Sequence, residues 1–133
     1  MDTRTKDVIE ECTRRSDESS IKFPDVVMKL MGAGVEGYHT DLVRSEKTYY
    51  LSNGESFVTP ANPADGIAPQ TFSAEGVADA VKASQQGKIT YAEFCRRIVG
   101  AGCVSYVVSL VGKRAIYSGR TGDFHIEHFP QAA

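Results

Sequence analysis

The sequence lacks the features that place a chain in or across a membrane. No apolar run approaches the ~20 residues that are needed to cross a bilayer. The first residues, MDTRTKDVIEEC, are charged from the second position and contain no apolar segment of the kind found in secretory signals. These two absences predict a cytoplasmic protein that has no membrane partner.

Cysteine and net charge are also scarce. The three cysteines are odd in number and show no CxxC spacing, which does not suit a disulfide framework. We expect a reduced protein that uses Cys12, Cys95 and Cys103 as small core residues. A formal net charge of −2 provides no general attraction to nucleic acid, so a nucleic-acid partner is not expected.

Length and composition suit an ordinary globular protein. The chain has 133 residues, of which 41% are hydrophobic and 24% are charged. This length is sufficient for one domain and too short for two ordinary ones. We therefore predict a single domain over residues 1–133.

The stretch SQQGKITYAEF resembles the end of a calcium-binding EF-hand loop, but its ligand positions do not fit. If Gly87 and Glu93 occupy the sixth and twelfth positions, the first, third and fifth hold Lys82, Ser84 and Gln86. Such a loop would offer calcium one carboxylate and would place an ammonium group at the first ligand position. We predict no calcium site here.

The same stretch has a simpler structural interpretation. Thr90-Tyr91-Ala92-Glu93 has the pattern of a capping box, in which the threonine hydroxyl accepts a hydrogen bond from the amide three residues later. Gly87 is suited to end the preceding helix in a left-handed conformation. The stretch therefore predicts a corner between two helices.

A shift of the sequence by 68 residues reveals an internal repeat. MGAGVEGYHTDLV (31–43) then aligns with VGAGCVSYVVSLV (99–111). Eleven identities occur over positions 3–55, where composition alone would give roughly three. The identical pairs are Thr3/Thr71, Ser16/Ser84, Ile21/Ile89, Gly32/Gly100, Ala33/Ala101, Gly34/Gly102, Tyr38/Tyr106, Leu42/Leu110, Val43/Val111, Tyr49/Tyr117 and Gly54/Gly122.

Each repeat has the pattern helix, helix, strand, strand, followed by a short further strand. The second helix of each repeat has apolar residues at i, i+3, i+4, i+7 and i+8, and we expect it to end at the first glycine of Gly-Ala-Gly. Between the repeats, TPANPADGIAPQ (59–70) contains three prolines and reads as a linker. The sequence predicts an α+β fold in which internally duplicated units, 1–58 and 71–129, pack their helices on one face of a largely antiparallel sheet of about four to six strands.

Two stretches resemble a known family. FPDVVMKLMGAGVEGYHTDLVRSEKTYYLSNGE and the closing HIEHFP are similar to the YdfO/YbcV-like family of small bacterial and prophage proteins, some of which carry the label phage envelope protein. The resemblance covers nearly the whole chain. It implies a compact α+β domain of unknown function and supplies no catalytic residue.

Strand alternation suggests a candidate binding surface. Tyr38 and Tyr106 recur in the repeat and should face the helices, which sends His39 and Asp41 to the opposite face of the sheet. In the last strand we take the apolar residues beside His125 and Glu127 as core, so these two polar residues are expected on that same open face. The alternative is that all four are ordinary solvated residues of an antiparallel sheet.

Two classes of function remain open at this point. The first is a non-enzymatic binding or regulatory module that presents the open sheet face to a partner or to a second copy, because Val107 and Val111 share that face with His39. The second is a small enzyme or metal-binding protein that uses the four polar residues, although their scattered spacing is not that of a metal site. No motif for a nucleophile or a phosphate loop is present, so we predict no catalytic residue, metal or cofactor.

Overall fold

The computed structural model describes residues 1–130 and contains, within that range, four helices and six strands. The first half comprises α1 (Thr3–Asp17), α2 (Phe23–Gly32), β1 (Val35–Asp41), β2 (Glu46–Leu51) and β3 (Ser56–Pro60). The second half comprises α3 (Ala74–Gln85), α4 (Tyr91–Gly100), β4 (Cys103–Ser109), β5 (Arg114–Gly119) and β6 (Phe124–His128).

The six strands form one sheet in the order β3-β2-β1-β4-β5-β6, and every neighbouring pair is antiparallel. All four helices contact this sheet from one side, with α1 and α3 near the outer strands and α2 and α4 over the central pair. The predicted α+β class, the antiparallel sheet and the one-sided helical layer are confirmed.

The second half repeats the order of the first at an offset of 68 residues. The offset relates α2 to α4 and each of the first three strands to the corresponding strand of the second half, with the same boundaries. The two central strands pair so that His39 lies opposite Val107, its own equivalent at this offset. The sheet therefore has an internal pseudo-twofold axis between these two residues.

Local capping explains where the helices begin. Asp2, Ser73 and Thr90 are the N-caps of α1, α3 and α4, and each side chain accepts a hydrogen bond from a backbone amide three residues later, at 2.8, 3.0 and 3.1 Å. The threonine half of the predicted capping box is thus confirmed. The Glu93 carboxylate lies 3.7 Å from Arg97 on the next turn.

The ends of α2 and α4 differ from the prediction in one detail. Gly32 and Gly100 are the last helical residues, and the left-handed conformation falls on the second glycine of each Gly-Ala-Gly, with φ of 88° at Gly34 and 96° at Gly102. The intervening alanine stays close to helical geometry and its amide still donates to the helix. The chain therefore reverses one step later than expected.

The core lies between the helices and the face of the sheet that they cover. Leu30 and Ile98 are fully buried equivalents from the two halves, and Tyr38, Tyr49, Tyr106 and Tyr117 are buried beneath the helices. Ring centroids in the Tyr38–Tyr49 and Tyr106–Tyr117 pairs are each 5.3 Å apart. None of the described helices is long and apolar enough to cross a membrane.

Candidate functional site

The side of the sheet away from the helices carries three rows of six residues, one from each strand; we call it the open face. The middle row consists of Val58, Thr48, His39, Val107, Ile116 and Ile126. The outer rows are Pro60, Glu46, Asp41, Ser105, Ser118 and Phe124 on one side, and Ser56, Tyr50, Gly37, Ser109, Arg114 and His128 on the other. The rows follow from the register, because paired residues point to the same face.

The middle row is the most apolar part of the open face. Val58, Val107 and Ile126 remain exposed, and Val107 beside the centre of the sheet has 42% of its surface accessible. Phe124, in one outer row, is 62% exposed. His39 is flanked by Thr48 and Val107. The apolar surface is therefore continuous over β4, β5 and β6, whereas Thr48 and His39 separate it from Val58 at the other edge of the sheet.

His39 and Asp41 lie on the open face, in agreement with the prediction. The Asp41 carboxylate accepts hydrogen bonds from the backbone amides of Val43 and Arg44, both at 3.0 Å. Asp41 thereby shapes the turn between β1 and β2. Of the two residues, His39 is the one whose side chain is placed at the centre of the surface.

The predicted position of His125 and Glu127 is wrong. In β6 they pair with Tyr117 and Ala115, which are buried beneath the helices, so both point to the helix-covered face. The residue that was taken as core, Phe124, is largely exposed. Since β6 is an edge strand, its outward side chains are only weakly constrained by burial, and apolarity alone gave the wrong face.

His125 and Glu127 nevertheless interact with each other. The His125 Nε2 atom and the Glu127 carboxylate form a hydrogen-bonded pair on β6. This pair is separated by the sheet from His39 and Asp41. In residues 1–130, no group of three or more His, Cys, Asp and Glu side chains is placed to hold a metal ion. The four predicted site residues therefore do not form one cluster.

A second polar region lies under the helices and was missed by the sequence analysis. Lys47 projects from β2 into the core and is only 3% exposed. Its Nζ atom lies 4.6 Å from the ring centroid of Tyr91 and 5.8 Å from that of Tyr38. These are cation–π distances, and such contacts contribute about 2 kcal/mol when desolvated. The sequence did contain an indication of this buried position. Residues two apart in a strand share a face, so the alternation of Lys47 with Tyr49 and Leu51 indicated that Lys47 points into the core.

The neighbours of Lys47 are polar but do not neutralise it directly. Thr40 lies opposite it on β1, and among the described residues no carboxylate approaches its Nζ atom within 4.0 Å. Burial lowers the pKa of Lys47, an effect that the nearby Cys95 and Asp17 partly oppose. Burial also raises the pKa of the Cys95 thiol and of the Asp17 carboxyl. We call Lys47, Thr40, Tyr91 and Cys95 the Lys47 site.

A tyrosine pair adjoins this site. The Tyr91 and Tyr106 hydroxyls are hydrogen-bonded to each other, and burial raises the pKa of both phenols well above the usual value. Tyr91 is the first residue of α4, so the start of this helix covers a lysine that belongs to the other half of the chain. The Lys47 site is thus assembled from both halves.

The fold and its surfaces define a small α+β protein with an exposed sheet face and a buried lysine beneath its helices. The family model described as Protein of unknown function (DUF1398) matches residues 19–127, and the chain belongs to that family. No curated protein matches the sequence.

Proposed function

We propose that the protein is a small, non-enzymatic binding module of the cytoplasm that acts through its open face, and that a second copy of the chain occupies this face. The observation that carries the proposal is the apolar part of the middle row, formed by Val107, Ile116 and Ile126 on three neighbouring strands, with Phe124 exposed beside it. Exposed apolar residues that form a continuous strip are typical of contact surfaces. The narrower YdfO/YbcV-like assignment, with its bacterial or prophage origin, is part of this proposal and is supported by the sequence stretches quoted above.

The size of the open face is compatible with a modest dimer. Six strands spaced at about 4.8 Å, each contributing about five residues, give a footprint of roughly 500 Å² per subunit. A standard stable interface buries about 800 Å² per partner. We therefore expect reversible association, in the micromolar range of dissociation constants, rather than an obligate dimer.

Charge distribution on the open face supports one particular arrangement. Glu46 and Arg114 are equivalents at the 68-residue offset and lie at diagonally opposite positions about the pseudo-twofold axis. Asp41 adjoins Glu46, and His128 adjoins Arg114. Arg44 already donates to Glu46, at 2.8 Å, and partly offsets the acidic corner. The face still carries an acidic corner and a basic corner.

A twofold axis in the plane of the interface, perpendicular to this diagonal, brings Glu46 of each copy to Arg114 of the other. The strands of the two copies then cross at about 90°, which is one of the two common sheet packings. The middle rows also cross, so that Ile126 lies over the second copy's Val43 and Val58 over its Val111. Both valines are exposed in turns.

The first experiment measures self-association of the purified chain by sedimentation equilibrium. We expect concentration-dependent dimerisation of the wild type and a monomer for Val107→Lys, because a lysine at the centre of the apolar row would be buried without a partner. Met28→Lys is the matched control, since Met28 is an exposed apolar residue on α2. A wild type that stays monomeric at high concentration, or equal effects of both substitutions, would refute the proposal.

A charge exchange tests the arrangement itself. Glu46→Arg and Arg114→Glu should each weaken the dimer by placing like charges together, and the double variant should restore association. If the double variant instead dimerises more weakly than either single variant, the two side chains do not meet in the dimer. The open face would then remain the contact surface, but the crossed packing would be excluded.

A further inference from the structure

The outer strands β3 and β6 are equivalent at the 68-residue offset, but only β3 has a proline on its outer edge. The Ala61 amide donates to the Ser45 carbonyl at 2.9 Å, so the neighbouring residue, Pro60, turns its backbone away from β2. Pro60 has no amide hydrogen to offer to a further strand. Proline at such a position is a common protection of a sheet edge.

The β6 edge lacks this protection. The Phe129 amide donates to the Lys113 carbonyl at 2.9 Å, and hydrogen bonding alternates along an antiparallel strand. Every second residue of β6 therefore turns its amide and carbonyl away from β5. These outward residues are Phe124, Ile126 and His128. Within residues 1–130 their amides have no backbone acceptor, and His128, the equivalent of Pro60, keeps its amide hydrogen.

The side chains of β6 are complementary to those of a second β6 that runs in the opposite direction. If the two strands pair with Ile126 at the twofold centre, His125 of each copy lies opposite Glu127 of the other. The same imidazole and carboxylate already form a hydrogen bond within one chain. Their side chains remain 24% and 27% accessible, so α3 does not close them off from the edge.

Other symmetric registers are less favourable. A pair centred on His125 would place two imidazoles opposite each other, and a pair centred on Glu127 would place two carboxylates there. The register centred on Ile126 avoids both contacts. It also gives every outward residue of each copy a reciprocal hydrogen-bonding partner.

We propose that β6 pairs with β6 of a second copy and joins the two six-stranded sheets into one continuous sheet. The apolar surface of Val107, Ile116 and Ile126 reaches this edge and continues there into the same three residues of the second copy. The twofold axis is normal to the sheet, so both open faces lie on the same side. The edge contact uses a different surface from the face-to-face dimer proposed above and is compatible with it.

The helical layer leaves room for this contact. α3 is the helix nearest to β6, and its Gly76 faces Ala101 at the end of α4. Half a turn round the helix, the flank of α3 on the side of the β6 edge carries Ala74 and Ala78. Small side chains allow helix axes to approach to about 8 Å, so two α3 helices can lie side by side over the joined edges.

Pairing through one short strand is weak. Water competes for exposed backbone hydrogen bonds, which limits their net contribution. A strand of five residues also buries much less surface than the about 800 Å² per partner of a standard stable interface. We expect a dissociation constant in the high-micromolar range. At the lower concentrations that are sufficient for the face-to-face dimer, the β6 edge stays unpaired.

Magnetic resonance on a mixture of isotope-labelled and unlabelled Val107→Lys chains tests the proposal. This variant removes the face-to-face dimer, so failure of the edge contact is distinguishable from failure of the proposed function. At concentrations near a millimolar we expect a nuclear Overhauser contact between the Hα atoms of His125 and Glu127 of different copies. These atoms are close only across a pair of antiparallel strands, since residues two apart within one strand are about 7 Å apart.

Variants of the two edges provide the controls. His128→Pro copies the protection of β3 and should weaken the edge contact at least tenfold, while its outward amide is not needed for pairing with β5. Ser56→Pro, at an outward position of β3, is the matched control and should leave the contact unchanged. Retention of the amide spectrum shows that each variant is folded.

A charge exchange tests the register independently of proline. His125→Glu should weaken the contact by placing carboxylates opposite each other, and the double variant His125→Glu with Glu127→His should restore it. The absence of the contact between His125 and Glu127 in Val107→Lys, an undiminished contact in His128→Pro, or equal effects of His128→Pro and Ser56→Pro would overturn the proposal.

Discussion

His39 and Val107 lie directly opposite each other on β1 and β4, and the pseudo-twofold axis of the sheet passes between them. They are equivalent positions of the two halves, yet one is ionisable and the other aliphatic. Both point to the open face, at the centre of its apolar row. The backbones of the two halves are therefore related by symmetry here, whereas the two side chains differ in polarity. This difference lies at the point where a second copy would make its closest contact.

Removal of this asymmetry should strengthen self-association. His39→Val makes the middle row apolar at its centre, and the additional buried apolar area favours the dimer at about 25 cal/mol per Å². We expect the dissociation constant to fall several-fold, measured by sedimentation equilibrium. Lys88→Val, at an exposed polar residue away from the open face, is the control and should leave the dissociation constant unchanged. A weaker dimer for His39→Val would mean that the imidazole itself makes a required contact.

The first half should not fold alone. A fragment of residues 1–58 loses β4, the partner of β1, and also loses α4, whose Tyr91 ring covers Lys47. The fragment would expose a central strand as an edge and leave a lysine amine in an incomplete core. We expect a circular dichroism melt without a cooperative transition, in contrast to the full chain. A sharp, reversible melt of the fragment would show that each repeat is an independent folding unit.

The equivalent core residues Leu30 and Ile98 should contribute similarly to stability. Both have no accessible surface and lie on corresponding turns of α2 and α4. Each substitution by alanine should lower the free energy of unfolding by about 2–5 kcal/mol, the range for well-packed aliphatic side chains. Urea denaturation measures both losses. A difference of more than about 2 kcal/mol between the two would show that the halves do not share the core equally.

Much of the fold could be predicted from the sequence because two independent patterns agree. Helical periodicity located α2 and α4, and the 68-residue repeat tied every strand of the first half to one in the second. Central strands such as β4 are buried on the helix side, so alternation identified the faces of Tyr38 and Tyr106 correctly. Where burial constrains a strand strongly, its sequence reveals its orientation.

The candidate site was harder to predict because its residues lie in strands whose side-chain directions are only weakly fixed by burial, or under helices that come from a distant part of the sequence. In the edge strand β6 the exposed residue Phe124 is apolar and the helix-facing residues His125 and Glu127 are polar, which reverses the usual pattern. Lys47 was overlooked because a lysine in a strand is normally taken as solvent-exposed. Its cover, the Tyr91 ring, comes from a helix 44 positions later in the chain.

The corner between α3 and α4 should be stabilised by capping and should not bind calcium. Thr90→Ala removes the acceptor for the Glu93 amide, a hydrogen bond of 3.1 Å, and should cost about 1 kcal/mol of unfolding free energy. Glu93→Gln retains the cap and should cost well under ~1 kcal/mol. Calorimetric titration with calcium should give no sub-millimolar binding to wild type. Binding that disappears in Glu93→Gln would contradict this expectation.

Replacement of Lys47 by methionine should stabilise the protein at neutral pH. Met has a similar length, packs well against Tyr91 and Tyr38, and requires no counter-charge. Exchange of a buried charge for an apolar side chain is often neutral or stabilising by about 1–4 kcal/mol. Urea denaturation of Lys47→Met and wild type gives the difference in unfolding free energy. A loss of several kcal/mol would instead show that the ammonium makes net favourable contacts in the core.

The stabilisation by Lys47→Met should also depend on pH. Because burial lowers the pKa of Lys47 in the folded state, the unfolded chain binds more protons at this residue between the folded pKa and the model value of 10.5. The free energy of unfolding of the wild type therefore rises relative to that of the variant as pH increases through that window. Below the window, the full cost of burying the charged lysine remains. The difference in unfolding free energy should therefore shrink as pH rises towards 10. A difference that stays constant or grows with pH would show that Lys47 keeps a normal or raised pKa, held by a charge partner in the folded protein.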